Sequence, residues 1–196
     1  MGSVAIGFSM SLDGFIAGPG DDTDLLFKWY STGDTTYEVP SGDREFKVSA
    51  DSADRLDDAS KSMGVLVYGR RTFDIANAWG GRHPMDVPMV IVTHHVPQEW
   101  VKPGSPFTFV TDGMESAIKQ AKKIAGDKTV AVGSGMVTQQ CLNLGLIDEI
   151  HIDLVPILLG DGVRLFDHLS TAPIEMKITE VAAARDITHL TYRIIK

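Results

Sequence analysis

Apolar and polar positions change rhythm several times along this chain. Val4, Ile6 and Phe8 alternate with small or polar residues over 3–9, the period of a strand. Residues 65–68, 88–92 and 130–132 are short continuous apolar runs, as in strands covered on both faces, and 107–110 reads as another strand. Between them the period lengthens. A helix opens at Arg70, directly after Gly69. Asp112-x-x-Glu115 reads as a capping box, ahead of a helix whose buried stripe is Met114, Ala117, Ile118, Ala121 and Ile124 and whose stop is Gly126. After Gly133-Ser134-Gly135, residues Val137, Cys141 and Leu144 recur at helical spacing until Gly145. Residues 21–30 hold a short helix that Asp24 can cap, and 49–62 a further helix with Leu56 and Ala59 turned inward. The run 147–159 is rich in strand formers, and 174–181 and 187–195 alternate about Ala184-Arg185-Asp186 as an antiparallel hairpin. The polar, turn-rich segment 31–48 fits a surface insertion.

Strand, glycine turn, helix, strand is the βαβ order. It predicts one α/β domain over 1–196: a mixed, mostly parallel sheet flanked by helices, with the C-terminal hairpin antiparallel at an edge. The length and a hydrophobic content of 43% suffice for one substantial core. No apolar run reaches bilayer-spanning length, and the N-terminus lacks a basic region followed by an apolar block, so neither a membrane anchor nor a signal peptide is expected. The single cysteine, Cys141, excludes an internal disulfide framework, sits in a helix as core packing, and fits a cytoplasmic protein. A net charge of −8 disfavours nucleic acid and anionic membranes as partners. The histidines form no HExxH and have no second cysteine beside them, so no metal site is expected.

The candidate chemistry lies in turns. Gly69 to Thr72, Thr93 to His95 and Gly133 to Met136 each follow a strand, and open α/β sheets bind ligands along the C-terminal strand edge. Backbone N–H groups that open a helix are unpaired and carry the positive end of its dipole, so Gly133-Ser134-Gly135 offers an anion cradle. Arg70 and Arg71 stand at another helix start, a poor place for cations unless a phosphate binds there. Thr93, His94 and His95 can donate hydrogen bonds near the same edge. Cradles and a basic spot suit a dinucleotide with an extra phosphate, NADPH, although neither GxGxxG nor GxxxxGK[ST] occurs. Asp13-Gly14 is open to two readings: a plain hairpin turn, or part of a lid formed with Phe15 and Ile16. Asp24 is likewise a helix cap or, buried beside a pyrimidine-like ring, a group that anchors N–H donors and helps supply a proton.

The segments SLDGFIAG (11–18), VYGRRTFD (67–74), PMVIVTHH (88–95), VAVGSGM (130–136) and LIDEIHIDLVPILLGDGVRLF (146–166) occur in this order across most of the chain. Together they resemble the dihydrofolate reductase-like superfamily, specifically free-standing proteins similar to the reductase domain of bacterial riboflavin biosynthesis. The resemblance implies hydride transfer from NADPH to a small heterocyclic substrate, pterin- or pyrimidine-like. It implies Gly69, Arg70, Arg71 and Thr72 at the cofactor phosphates, and Thr93 and His94 near the 2′-phosphate. Gly133, Ser134, Gly135 and Met136 would lie under the pyrophosphate and nicotinamide, with a loop of Asp13, Gly14 and Ile16 closing above. Asp24 and Asp13 are the candidate catalytic carboxylates. The chain departs from the pattern at Ser134, where relatives carry a second glycine, and in lacking a Pro-Trp segment before Asp24. In dihydrofolate reductase the Gly-Gly bond is cis, a form that costs ~3 kcal/mol without proline. A homodimer is also implied. The alternative is a non-catalytic dinucleotide-binding or regulatory protein on the same fold.

Overall fold

A computed structural model describes residues 2–196. Strand β1 (Val4–Ser11) is followed by a tight turn, the short β2 (Phe15–Ala17) and α1 (Asp24–Phe27). A hairpin of β3 (Thr35–Glu38) and β4 (Glu45–Val48) precedes α2 (Ala50–Ser62). Then come β5 (Met63–Gly69), α3 (Arg70–Ile75), β6 (Met89–Val92), β7 (Phe107–Val110), α4 (Met114–Ala125), β8 (Thr129–Val132), α5 (Gly135–Asn143) and β9 (Glu149–Val155). The two-residue β10 (Val163–Arg164), β11 (Met176–Ala183) and β12 (Thr188–Ile194) complete the chain.

The main sheet has eight strands in the order β11-β12-β9-β1-β8-β5-β6-β7. From β9 to β7 every pairing is parallel, and β12 and β11 add antiparallel strands at one edge. The short apolar runs form the centre because covered parallel strands need side chains that pack on both faces: Val4, Ile6, Val65, Val67, Val90, Val130 and Val132 are buried together. The stripe of α4 seals one side through Met114, Ala117, Ile118 and Ala121, but Ala125 rather than Ile124 completes it. The capping box is not formed. Gly113 takes the N-cap position, and Asp112 instead accepts from the Ser116 hydroxyl at 2.8 Å.

Segment 31–48 is not a plain surface insertion. Tyr37, Val39 and Val48 are buried with Leu26, Trp29, Val155 and Ile187 in a core of their own. Polar residues dominate because β3 and β4 turn one face to solvent, and the inward positions are too few to outweigh them. In α2, Ser52 is buried while Ala59 is exposed. No helix among the described residues is long and apolar enough to cross a membrane.

Candidate functional site

The parallel strands end at Ser11, Gly69, Val92, Val132 and Val155; β1 and β9 run five residues past the level of Val132, and the turns after β1, β5 and β8 touch one another. Ser134 is the joint. Its buried hydroxyl accepts the Gly69 N–H at 2.9 Å and donates to Thr72 Oγ1 at 2.9 Å, tying the start of α5 to the start of α3. The Gly133–Ser134 bond is trans, since Ala172–Pro173 is the cis peptide among the described residues. A Cβ on Gly133 would run into the Tyr68 ring. One on Gly135 would stand 3.1 Å from Ile16 Cδ1, so the loop after β1 lies directly over the α5 N-terminus.

The arginines point to different partners. Arg70 binds along its own helix to Asp74 at 2.7 Å and reaches the His95 carbonyl at 2.8 Å, pinning the turn after β6. Arg71 is 75% exposed and pairs with Asp21 at 2.6 Å, joining α3 to the far end of the loop that carries Ile16. Thr93 is buried; its hydroxyl accepts the His95 N–H at 3.2 Å and donates to the His95 carbonyl at 2.9 Å, which folds His94 and His95 outward into solvent. Met136 is 70% exposed on the first turn of α5. Gly69, Arg70, Arg71, Thr72, Ser134, Gly135 and Ile16 are thus brought together, with Thr93 and His94 one turn away and Met136 at the rim.

Neither α3 nor α5 has a side-chain cap on its N-terminus. Two helix starts, closely approached by glycine and flanked by two arginines, form a cradle that fits the phosphates of a dinucleotide.

The predicted carboxylates sit elsewhere. Asp13 accepts the Ser11 hydroxyl at 2.6 Å, the Leu159 N–H at 3.1 Å and the Gly160 N–H at 2.7 Å. Those bonds, the Ser11 hydroxyl above all, lower its pKa to about 2. Arg164 completes this clasp: it donates to the Asp13 carbonyl at 3.0 Å and lies 4.3 Å above the Phe15 ring. Asp13 therefore ties the loop to the segment after β9. Asp24 is exposed on the first turn of α1, and the capping contact there comes from Asp22, which accepts the Asp24 N–H at 2.9 Å.

A polar network beneath the α1 segment has no counterpart among the motifs. Ser9, Asp153 and His189 are direct partners across β1, β9 and β12, and so share one face. Trp29 Nε1 donates to Ser9 Oγ at 3.0 Å. His189 lies between Asp153, 2.6 Å from its Nδ1, and Ser52 of α2, 2.9 Å from its Nε2. The Tyr30 hydroxyl is pushed well above its ordinary pKa, first by burial and then by the Asp153 charge. The strands carry a trace of this network. Ser9 and Ser11 in β1, His151 and Asp153 in β9, and His189 and Thr191 in β12 put polar groups at every second position along these strands. Only the register shows that these rows align.

The profile of the RibD C-terminal domain family matches residues 3–190. A Shewanella sp. PV-4 protein provisionally assigned to riboflavin biosynthesis superposes with a TM-score of 0.75 at 23% identity, over 99% of both chains. The diaminohydroxyphosphoribosylaminopyrimidine deaminase/5-amino-6-(5-phosphoribosylamino)uracil reductase of Thermotoga maritima gives 0.65 at 14% identity, over 99% of this chain and 57% of that one. Dihydrofolate reductase from Enterococcus faecalis, complexed with NADP(H) and RAB-propyl, gives 0.57 at 13% identity over 99% and 97%. In sequence, the uncharacterized Bacillus subtilis protein YyaP is 22% identical over 174 residues, 83% of this chain and 79% of its own length.

Proposed function

The chain belongs to the RibD C-terminal domain family, and from that premise we propose that it is an NADPH-dependent reductase of a small pyrimidine- or pterin-like heterocycle. The observation that carries the reading is the Ser134 joint, which sets two uncapped helix starts side by side at the strand ends, under the Ile16 loop. Similarly folded proteins named for a uracil reductase and a dihydrofolate reductase support the substrate class.

In this reading, N–H groups at Ser134, Gly135 and Met136 hold one phosphate and those of Arg70 to Thr72 the other, with Gly69 giving the close approach. Arg71, with Thr93 and His94, takes the 2′-phosphate by exchanging its Asp21 partner for it. Bound there, a reduced nicotinamide supplies a hydride to a C=N or C=O carbon. The chain orients the ring against that carbon, and Ile16 excludes water above it. Asp13, ionised and saturated with hydrogen bonds, serves catalysis by fixing the loop. Asp24, exposed on the first turn of α1, receives an N–H of the incoming heterocycle in this reading. We place it in the cytoplasm, where a chain with a single cysteine fits. It pairs with a second copy through β11, whose Met176, Ile178 and Val181 are exposed.

Calorimetric titration with NADPH and NADH, followed by loss of absorbance from reduced cofactor with 5-amino-6-(5-phosphoribosylamino)uracil or dihydrofolate, tests the proposal. Micromolar NADPH binding, preference over NADH and turnover of either probe are expected. Absence of cofactor binding would sink the reading, and binding without turnover would favour a non-catalytic nucleotide-binding protein.

A further inference from the structure

The reductase reading leaves one step without an agent. Hydride arrival at a C=N or C=O carbon puts a negative charge on the neighbouring nitrogen or oxygen, which must take up a proton. Resting on that reading, we propose that Ser49, Ser52, His189 and Asp153 form a relay that carries protons from solvent to the catalytic edge, where Asp153 hands one to that atom.

The hydrogen bonds run in one direction. Ser49 is the N-cap of α2 and accepts the Ser52 N–H at 3.3 Å; its own hydroxyl donates to Ser52 Oγ at 2.9 Å. Ser52 already receives that hydrogen, so it spends its own on His189 Nε2, 2.9 Å away. Nε2 is then the unprotonated ring nitrogen. The ring proton sits on Nδ1 and points at Asp153 Oδ1, 2.6 Å away. Each donor meets one acceptor, from hydroxyl to hydroxyl to imidazole to carboxylate.

The two ends open where a relay needs them. Ser49 and Ser52 line a narrow surface cleft with Trp29, Thr32, Arg185 and Asp186. The middle is sealed, since His189 is only 2% exposed. At the other end the Asp153 side chain is 28% exposed, stands two residues before the end of β9, and is the direct neighbour of Ser9 on β1. Tyr30 and Trp29 cover the same place. Packing alone gives no reason for the arrangement. A buried Asp–His pair pays desolvation that an apolar pair of like volume avoids, so it stabilises the fold weakly at best.

The step balances. The O–H bond of protonated Asp153 breaks as an N–H or O–H bond forms on the substrate, leaving Asp153 a carboxylate; the reductant is the dihydronicotinamide, which loses the hydride. Asp153 then takes the Nδ1 proton of His189 as Nε2 takes one from Ser52. Ser52 is refilled by Ser49, and Ser49 by water in the cleft. Every bond broken along the chain is matched by one formed, and the net movement is one proton from solvent to Asp153. A flip of the ring and rotation of the hydroxyls reset it.

The deciding experiment needs neither cofactor nor substrate. In the 15N-labelled protein, long-range 1H–15N NMR should show His189 as the Nδ1–H tautomer, and saturation transfer gives the exchange of that proton with water. If Ser52 conducts, Ser52→Ala slows the exchange about tenfold or more, and Ser52→Thr, which keeps the hydroxyl, restores it. A merely structural network would exchange faster or unchanged when loosened by Ser52→Ala; that result overturns the relay. Should Ser52→Ala fail to fold, Ser49→Asn keeps an N-cap acceptor but removes the hydroxyl, and must slow exchange likewise. With NADPH and 5-amino-6-(5-phosphoribosylamino)uracil, Ser52→Ala and Asp153→Asn should each lower kcat roughly a hundredfold, with KM for NADPH unchanged and a larger solvent isotope effect in Ser52→Ala. Slowed exchange in Ser52→Ala, beside a wild type that binds no cofactor, would count against the reductase reading alone. Unslowed exchange in Ser52→Ala, beside a wild type that turns over, would count against the relay alone.

Discussion

Ser134 shows how one hydroxyl sets the site. Its oxygen accepts one N–H from the turn before α3 and gives its proton to Thr72, two bonds a second glycine could not make. Ser134→Ala leaves the Gly69 N–H unpaired in a part-buried place, and is expected to cost ~1–3 kcal/mol in denaturant unfolding and to weaken NADPH binding in calorimetry. Asp13 gives a pH signature. Its folded pKa of about 2 lies below the ordinary 3.8, so its contribution is fully present above about 4 and is lost as pH falls from there towards 2. Asp13→Asn should therefore lower the Tm at neutral pH, with the gap from wild type closing across that acid window. Burial pushes the Cys141 thiol up to about 12; a thiol reagent at pH 8 should leave it unmodified until the chain is unfolded. The turns gathered at the Ser134 joint were legible in sequence because Gly69 and Gly133 each directly follow an apolar run. Ser52, His189 and Asp153 were not, because Ser52 and His189 stand 137 positions apart and meet only through tertiary packing and cross-strand register.

Among the elements, the β3–β4 hairpin shows where pattern reading fails. Its outward positions carry the polar residues that mark a loop, while Tyr37 stacks on Phe46 and donates its hydroxyl to the Leu56 carbonyl at 3.2 Å. Tyr37→Ala is expected to destabilise the protein by ~3 kcal/mol in urea unfolding, as a core aromatic does and an insertion does not. Periodicity served better in α4, where the stripe is regular, yet its capping box failed because Gly113, at φ 104°, turns the chain one residue later than Asp112 requires. The segment before β6 stayed obscure for a related reason. Asn77, Ala78 and Trp79 all take positive φ, which no local pattern announces in residues other than glycine. There His83 is held neutral, its pKa lowered to about 4, mainly by burial. The unfolded chain takes up that proton first, so stability falls as pH drops from about 6.5 to 4, by roughly 3 kcal/mol at most. His83→Gln should flatten that part of the stability–pH curve.

For the whole molecule, family and fold class were legible from motif order, but strand order was not. Local patterns show that βαβ units exist; which strands neighbour each other depends on crossovers that leave no local trace. The exposed apolar row of β11 yields a prediction at this scale. Light scattering should report about twice the 21.3 kDa chain mass, and Ile178→Glu with Val181→Glu should halve it if that edge pairs copies. The place of β1 has a temporal consequence. Strand β1 is held between β8 and β9, partners that begin at Thr129 and end at Val155. On the ribosome, Val4 and Ile6 must therefore wait, apolar and unpaired, until β8 and β9 have been synthesised. The central strand emerges well before the neighbours that flank it, which makes the nascent chain, more than the folded protein, a client for chaperones.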